Sequence, residues 1–132
     1  MAEAREWIKL PVNPMGAPRQ TQRDRWKKRP VVERYHAFRD ELRIHAHNAG
    51  YDVGVAYAIV FELPMPKSWS KKKRKAHNGR PHQQKPDIDN LVKAFQDTLA
   101  TEDKAIYRVD AEKRWTSECE GCILVCNLEA AE

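Results

Sequence analysis

The sequence predicts a small α+β domain in which a mixed β-sheet packs against two main helices. Three observations predict this class: apolar patterns follow the order β-α-β-α-β-β, the chain has 132 residues, and 41% of them are hydrophobic. A chain of this length buries roughly 60 to 70% of its unfolded surface, which is enough for one sheet and two or three helices. We therefore expect a single domain over residues 1–132.

Strand, helix and strand patterns follow one another in the first half of the chain. Residues 7–10 predict a short strand, which the prolines and the glycine of 11–18 terminate. A β-branched and aromatic run over 53–63 predicts a buried central strand. Between them, apolar positions at steps of four and three predict an amphipathic helix that ends at Gly50 and buries Val31, Tyr35, Phe38, Leu42, His45 and Ala49.

The second half contains a basic loop, a second helix and two strands. Prolines and a glycine interrupt 63–86, so we expect a loop there, and a structureless loop of this length is usually functional or disordered. Polar residues 116–120 join the strands predicted over 107–115 and 121–128. The helix is predicted over 87–99, with an apolar stripe of Ile88, Leu91, Val92, Phe95 and Leu99.

Basic residues are concentrated in the first two thirds of the chain. The net charge is +5, but residues 1–86 carry +11 and residues 87–132 carry −6. A solvated loop that only aids solubility is one interpretation, yet an aromatic residue is unusual in a spacer. A base can stack on such a ring while neighbouring cations contact phosphates. We therefore predict nucleic-acid contacts from the basic stretch 19–29 and from Lys67, Trp69, Lys71, Lys72, Lys73, Arg74, Lys75, Arg80 and Lys85.

Nothing in the sequence predicts a membrane-spanning protein or a secreted protein. The longest apolar run, 53–61, is far shorter than the roughly 20 residues that cross a bilayer. Acids also occupy the start of the chain, where a signal peptide is basic. We expect a cytoplasmic protein with no membrane partner and no small-molecule cofactor. Cys119, Cys122 and Cys126 could suggest zinc or an iron–sulfur cluster, but their alternation favours small apolar side chains on a terminal strand.

Acidic residues gather where the second helix begins. Asp87 could cap this helix through a side-chain oxygen, and Asp89 lies in the first turn, where the helix dipole favours a negative charge. Helix capping accounts for one of the two aspartates but not well for the pair. Two carboxylates beside a basic loop repel the polyanion that the loop attracts. A divalent cation resolves this conflict, since Mg²⁺ takes carboxylate oxygens and keeps positions for water and phosphate.

Further candidate residues follow along the second helix. Glu102 and Asp103 come just after it, but a helix about 15 to 18 Å long separates them from Asp87. They approach Asp87 only if the chain doubles back antiparallel to the helix. Lys93 shares a flank of the helix with Asp89. Its ammonium group therefore either stabilises charge on a phosphate or forms only a surface ion pair.

The segment KPDIDNLVKA over 85–94, followed by Asp97 and by Glu102-Asp103, closely resembles the signature of RusA-type Holliday-junction resolvases. That signature is Asp-x-Asp-Asn-Leu-x-Lys, an aspartate four residues later and a further acidic pair. The upstream segment PKSWSKKKR and the pair Pro81-His82 resemble phage-borne members of the family. The resemblance is specific over 85–115 and suggestive from 63 onward.

This resemblance implies a homodimeric endonuclease that requires Mg²⁺, with Mn²⁺ as a substitute, and that nicks four-way DNA junctions symmetrically on two strands. The chain departs from the family in a shorter link before the acidic pair and in an alanine where glutamine is usual, so Glu102 is an alternative third ligand. The resemblance implies metal-binding and catalytic roles for Asp87, Asp89 and Asp103 and a catalytic role for Lys93.

The predicted reaction is hydrolysis of a DNA phosphodiester by in-line attack of water, with the carboxylates holding the metal. Two other functions are compatible with the residues. One is a non-catalytic nucleic-acid-binding module whose acids only cap a helix, and it predicts no cleavage. The other is a metal-dependent nuclease for other structured nucleic acids, and it predicts the same metal site with a different substrate.

Overall fold

The computed structural model describes residues 6–18, 30–118 and 120–128. The predicted basic stretch 19–29 and Cys119 therefore lie outside the described residues. None of the helices in the described ranges is long and apolar enough to cross a membrane. The predicted α+β class is confirmed, with two short helical elements added. The elements are β1 (Ile8–Leu10), α1 (Pro30–Ala49), β2 (Ala56–Pro64), α2 (Lys71–His77), α3 (Ile88–Leu99), a 3₁₀ turn (Asp103–Ala105), β3 (Arg108–Thr116) and β4 (Cys122–Asn127).

The four strands form one mixed sheet of order β1-β4-β2-β3. β2 pairs parallel with β3, with Ala56 opposite Arg108, and antiparallel with β4, with Ile59 opposite Val125. A parallel pair needs a long crossover connection, and α2 and α3 lie within this one. β3 and β4 are consecutive in sequence but do not pair, because β2 lies between them. The prediction that β2 is an inner, buried strand is confirmed.

Alternate side chains of the inner strands form the core on the helix side of the sheet. Tyr57, Ile59 and Phe61 of β2 are buried together with Val125 of β4. Phe95 of α3 packs against Tyr57, with 5.5 Å between the ring centroids. Burying one side chain of this size stabilises the fold by about 1.5 to 3 kcal/mol. This packing fixes α3 on the sheet and so fixes both of its ends.

The buried face of α1 differs in part from the predicted stripe. Tyr35, Phe38 and Leu42 are buried as predicted, whereas Val31 and His45 are only half-buried. The face is displaced because α1 packs against both α3 and β1, and the spacing of apolar residues carries no information about a second neighbour. The observed face also includes Val32 and Ala46, and Ala49 is exposed.

The buried face of α3 includes a polar residue that an apolar pattern does not register. Leu91 and Phe95 are buried as predicted. Thr98 is buried as well, because its hydroxyl donates to the carbonyl oxygen of Ala94 at 2.8 Å and accepts from Nε of Arg39 at 3.1 Å. Ala94 is also buried, and the predicted positions Ile88, Val92 and Leu99 are half-buried.

Gly50 ends α1, as the sequence predicts. Its φ is +67°, in the left-handed region that favours glycine. The N–H of Gly50 donates to the carbonyl oxygen of His47, and the N–H of Tyr51 donates to that of Ala46. These two bonds satisfy the last carbonyls of the helix and turn the chain toward β2.

Residues 63–86 do not form the structureless loop that the sequence predicts. β2 extends to Pro64, and α2 follows it as a seven-residue helix. The side chain of Ser70 caps α2, because its hydroxyl accepts the N–H of Lys73 at 3.2 Å. The apolar pattern does not predict α2, because the helix buries no residue and therefore has no apolar stripe.

The cysteines of β4 are packing residues, as the strand interpretation predicts. Cys122 and Cys126 are buried free thiols. Burial raises the pKa of Cys122, which disfavours the thiolate that metal binding and redox chemistry require. These two cysteines therefore contribute apolar packing to the sheet.

Candidate active site

The N-terminal end of α3 presents two neighbouring aspartates to solvent. Asp87 occupies the N-cap position and Asp89 lies in the first turn, and both side chains are exposed. The side chain of Asp87 makes no capping hydrogen bond. Within the part of the chain that the structure describes, neither carboxylate has a hydrogen-bond or ion-pair partner. Both are therefore available as oxygen ligands.

Lys93 lies one turn further along the exposed side of α3. The i, i+4 spacing places it on the same flank as Asp89. Its ammonium group forms no ion pair with any described residue, so the structure lacks the surface pair that the sequence offered as an alternative. The group is free to meet a phosphate.

Two side chains from distant parts of the chain hold the segment where α3 begins. Nδ2 of Asn90 donates to the carbonyl oxygen of Ala17 at 3.1 Å, which ties the first turn of α3 to the segment after β1. Nζ of Lys113, on β3, donates to the carbonyl oxygens of Gln84 and Pro86. The bond to Pro86 is 2.8 Å long. The position of both aspartates thus depends on contacts that are remote in sequence.

The predicted third acid lies at the opposite end of α3. Asp103 begins the 3₁₀ turn after the helix, Glu102 precedes it, and both are exposed. Twelve helical residues separate the two ends by about 18 Å. The chain does double back along α3, but it does so with β3. Glu102 and Asp103 precede β3 and therefore stay near the C-terminal end of α3. Among the residues that the structure describes, no group of three or more His, Cys, Asp or Glu side chains could hold a metal ion. One chain therefore brings Asp87 and Asp89 to the same end of α3, but not Asp103.

The basic arm, which we define as residues 66–86, is ordered around Trp69. The ring of Trp69 lies 4.8 Å from that of Trp115 on β3 and 5.0 Å from that of His77 on α2. Nζ of Lys73 lies 4.2 Å from its centroid. Stacking of Trp69 on a base, as the sequence predicts, would require Lys73 to leave the ring. In this structure Trp69 anchors α2 to the sheet.

Most of the predicted DNA contacts in the basic arm are exposed. Arg74 differs, because it is half-buried and its guanidinium donates to the carbonyl oxygens of Trp69 at 3.3 Å and Pro66 at 3.0 Å. Arg74 therefore stabilises the fold of the arm. The remaining cations form an open positive surface, made by Lys67, Lys71, Lys72, Lys73, Lys75, Arg80 and Lys85.

The basic arm returns along the outer edge of β3. The N–H of Gly79 donates to the carbonyl oxygen of Trp115, and the N–H of Trp115 donates to that of Arg80, both at 2.9 Å. Gly79 has a φ of +79°, which a residue with a Cβ rarely adopts. The N–H of His82 then donates to the carbonyl oxygen of Lys113 at 3.0 Å. These bonds cover the strand edge and lead the chain to the start of α3, so the cations and the two aspartates lie on adjoining segments.

His82 is buried where the basic arm meets the start of α3. Its side chain is 5% exposed, and its ring lies 4.1 Å from that of Trp115. Nδ1 accepts the N–H of Gln84 at 3.5 Å. Burial, aided by the positive charge of Lys113, lowers the pKa of His82 below its usual value of 6.5. The ring is therefore neutral at pH 7 and serves packing rather than phosphate binding.

We expect the stability of the protein to fall below about pH 6.5 because of His82. The unfolded chain takes up a proton on this ring at a higher pH than the folded chain does. This part of the stability is therefore complete above the ordinary pKa and is lost as the pH falls from there toward the folded pKa. The check is the urea midpoint between about pH 7.5 and about pH 5.

The His82→Gln variant should lack this part of the pH dependence. His36→Gln, on the exposed side of α1, is the matched control and should keep it. An equal slope in wild type and His82→Gln would contradict the assignment.

Lys113 is a site residue without a predicted role, although the residue pattern of β3 held a signal for it. Along β3, Lys113 alternates with Val109, Ala111 and Trp115 on one face of the strand. A lysine in such a row suggests a special partner for its ammonium group. Nothing in the sequence identified that partner, because the carbonyl groups of 84 and 86 come near β3 only through the fold.

The chain matches one known protein family over most of its length. The family model described as Endodeoxyribonuclease RusA matches residues 11–124, which include the two aspartates, Lys93, the basic arm and β3. The match covers far more than half of the chain. No curated protein matches the chain.

Proposed function

The chain belongs to the RusA family of endodeoxyribonucleases, and from this we propose that it resolves four-way (Holliday) DNA junctions by paired, symmetric, Mg²⁺-dependent nicks in DNA recombination and repair. One observation carries the proposal: Asp87 and Asp89 stand without protein partners among the described residues, at the end of α3 that adjoins the basic arm. Carboxylates beside a DNA-binding surface repel the phosphates unless a bound cation neutralises their charge. The proposal includes action in the cytoplasm.

The donor chemistry at the start of α3 suits a hard divalent cation. Asp87 and Asp89 offer exposed carboxylate oxygens, which are the ligands that Mg²⁺ prefers. They would hold Mg²⁺, or Mn²⁺ in its place. When bound, the ion polarises the phosphoryl oxygens and lowers the pKa of the attacking water. The two aspartates bind the ion and need not act as bases. No small-molecule cofactor is part of the proposal.

We infer that the third carboxylate comes from a second copy of the chain. Asp103 lies about 18 Å from Asp87 along α3, which is too far for both to bind one ion. A homodimer can bring Asp103 of one copy to Asp87 and Asp89 of the other. The turn that carries Asp103 lines a cavity of about 180 Å³ near the exposed side chains of Val55 and Tyr107. Two exposed apolar side chains beside this turn suit a protein contact. Two composite sites in one dimer suit paired nicks.

Lys93 is proposed to act on the phosphate itself. It shares the exposed flank of α3 with Asp89 and has no ion-pair partner within the described ranges. Its ammonium group can stabilise the negative charge that develops on the phosphoryl oxygens during in-line attack by water. This role explains why a lysine lies one turn from the two acids.

The exposed cations of the basic arm are proposed to position the DNA. Contacts with phosphates fix the orientation of the duplex and carry no direct sequence information, so they suit recognition of a junction by its shape. The stretch 19–29 is proposed to add contacts of the same kind. Binding should weaken steeply with salt, with a logarithmic slope of about −0.9 for each phosphate that is contacted.

The test compares three labelled substrates, each with Mg²⁺ and with EDTA: a four-way junction, a linear duplex of the same sequence and a structured RNA. We expect paired nicks in the junction, only with Mg²⁺, and no cleavage of the duplex. Equal cleavage of the duplex would remove junction selectivity. Preferred cleavage of RNA would favour the alternative nuclease, and salt-sensitive binding without any cleavage would favour the non-catalytic module.

A further inference from the structure

Lys113 is the charged member of an otherwise apolar row on β3. Val109, Ala111 and Trp115 occupy the alternating positions around it on the same face of the strand, and Val109 and Ala111 pack against the core. A half-buried ammonium group is costly unless it has hydrogen-bond acceptors. Here the acceptors are backbone carbonyls, and no described acid forms an ion pair with Lys113. The positive charge therefore stays unneutralised close to the start of α3.

Lys113 holds the segment that delivers Asp87. Its Nζ donates to the carbonyl oxygens of Gln84 and Pro86, and its own carbonyl oxygen accepts the N–H of His82 at 3.0 Å. Among the hydrogen bonds between described residues, those of Lys113 are the ones that tie 82–86 to the sheet. The backbone bond would survive a substitution, whereas the two bonds from the ammonium group would not.

The charge of Lys113 also acts on its surroundings. It contributes to the lowered pKa of His82 on the same segment. Coulomb repulsion between this ammonium group and a metal ion does not favour metal binding, so the effect of Lys113 on the site comes from its hydrogen bonds. Removal of the ammonium group would release the turn from β3 and leave only the backbone bond between Lys113 and His82.

On the basis of the metal-dependent function proposed above, we propose that Lys113 is a positioning residue whose ammonium group fixes the 84–86 turn and thereby directs Asp87 and Asp89 to one metal ion. Lys113 itself touches neither the metal nor the DNA in this role. The competing possibility is that Lys113 only stabilises the fold, in which case the metal affinity of the folded protein is independent of it.

The experiment measures Mn²⁺ binding by calorimetry without DNA, junction binding in EDTA, and single-turnover junction cleavage. Groups that orient metal ligands typically change metal affinity by about 10 to 100-fold when removed, so we expect Lys113→Met to raise the Kd for Mn²⁺ at least about tenfold and to slow cleavage similarly. Junction binding in EDTA should stay within about twofold of wild type, since the exposed cations of the arm are unchanged. Lys113→Arg keeps the charge and the donors and should restore most of the Mn²⁺ affinity.

Lys9→Met is the matched control, because Lys9 is an exposed strand lysine outside the site, and it should behave as wild type. If Lys113→Met does not fold, Lys113→Gln keeps a donor without the charge and takes its place. Wild-type Mn²⁺ affinity in a folded Lys113 variant would overturn the positioning role while leaving the nuclease intact. Absence of Mn²⁺ binding and of cleavage in wild type itself would reject both proposals.

Discussion

Asp89→Asn should reduce Mg²⁺-dependent junction cleavage at least about 100-fold, a loss of about 2.7 kcal/mol in transition-state stabilisation. The substitution keeps the size of the side chain and removes one charged metal ligand. Asp89 is exposed and has no protein partner among the described residues, so the fold should be unaffected. Junction binding in EDTA should be equal or tighter, because a negative charge beside the DNA is gone.

The measurements are single-turnover cleavage and equilibrium binding on the same junction. Asp40→Asn is a suitable control, because Asp40 is an exposed acid on α1 whose described contact is a surface pair with Arg43. We expect this control to retain full activity. Full activity of Asp89→Asn would reject the metal site at the start of α3.

Mixing two inactive variants should restore cleavage if the site is shared between copies. In a dimer of one Asp89→Asn copy and one Asp103→Asn copy, one composite site carries both substitutions and the other carries neither. Half of the dimers in an equimolar mixture are mixed, and each keeps one intact site, so nicking should recover to about a quarter of the wild-type rate. The product should be a singly nicked junction, because a mixed dimer cannot cut both strands.

The matched control for this experiment is a mixture of Asp87→Asn with Asp89→Asn. Both substitutions lie on the same copy's part of the site, so each mixed dimer has two damaged sites and should stay inactive. Inactivity of the first mixture would show that Asp103 does not act across the dimer. Full activity of Asp103→Asn alone would show that Asp103 is not the third ligand and would leave Glu102 as the alternative.

Local patterns in the sequence predicted much of the fold. The apolar run of β2 and the glycine that ends α1 are both found within a few residues of their predicted places. These features depend on interactions along a few neighbouring residues, which a pattern of spacing records. The segment Lys85 to Lys93 likewise carried the candidate carboxylates, because a motif is local by nature.

The features that the sequence did not predict depend on contacts between distant residues. Helix α2 was missed because it is held by the cap of Ser70 and by the contacts of Trp69 with Trp115, not by a buried stripe. Trp69 stays a predicted DNA contact, and the sequence did not indicate the ring contacts that it makes with Lys73 and with His77. A side chain's neighbours across the fold are not encoded in the residues beside it.

The amino-acid sequence by itself determined the α+β class, the family signature and the two aspartates that begin α3, because helical period, strand alternation and short motifs are properties of nearby residues. Only the tertiary structure decided that the chain doubles back along α3 after Asp103, with β3, so that this acid stays at the far end of the helix, and that Lys113 holds the turn before Asp87. The physical reason is that both facts follow from the direction of β3 relative to α3, and that direction is set by how the strands pair in the sheet.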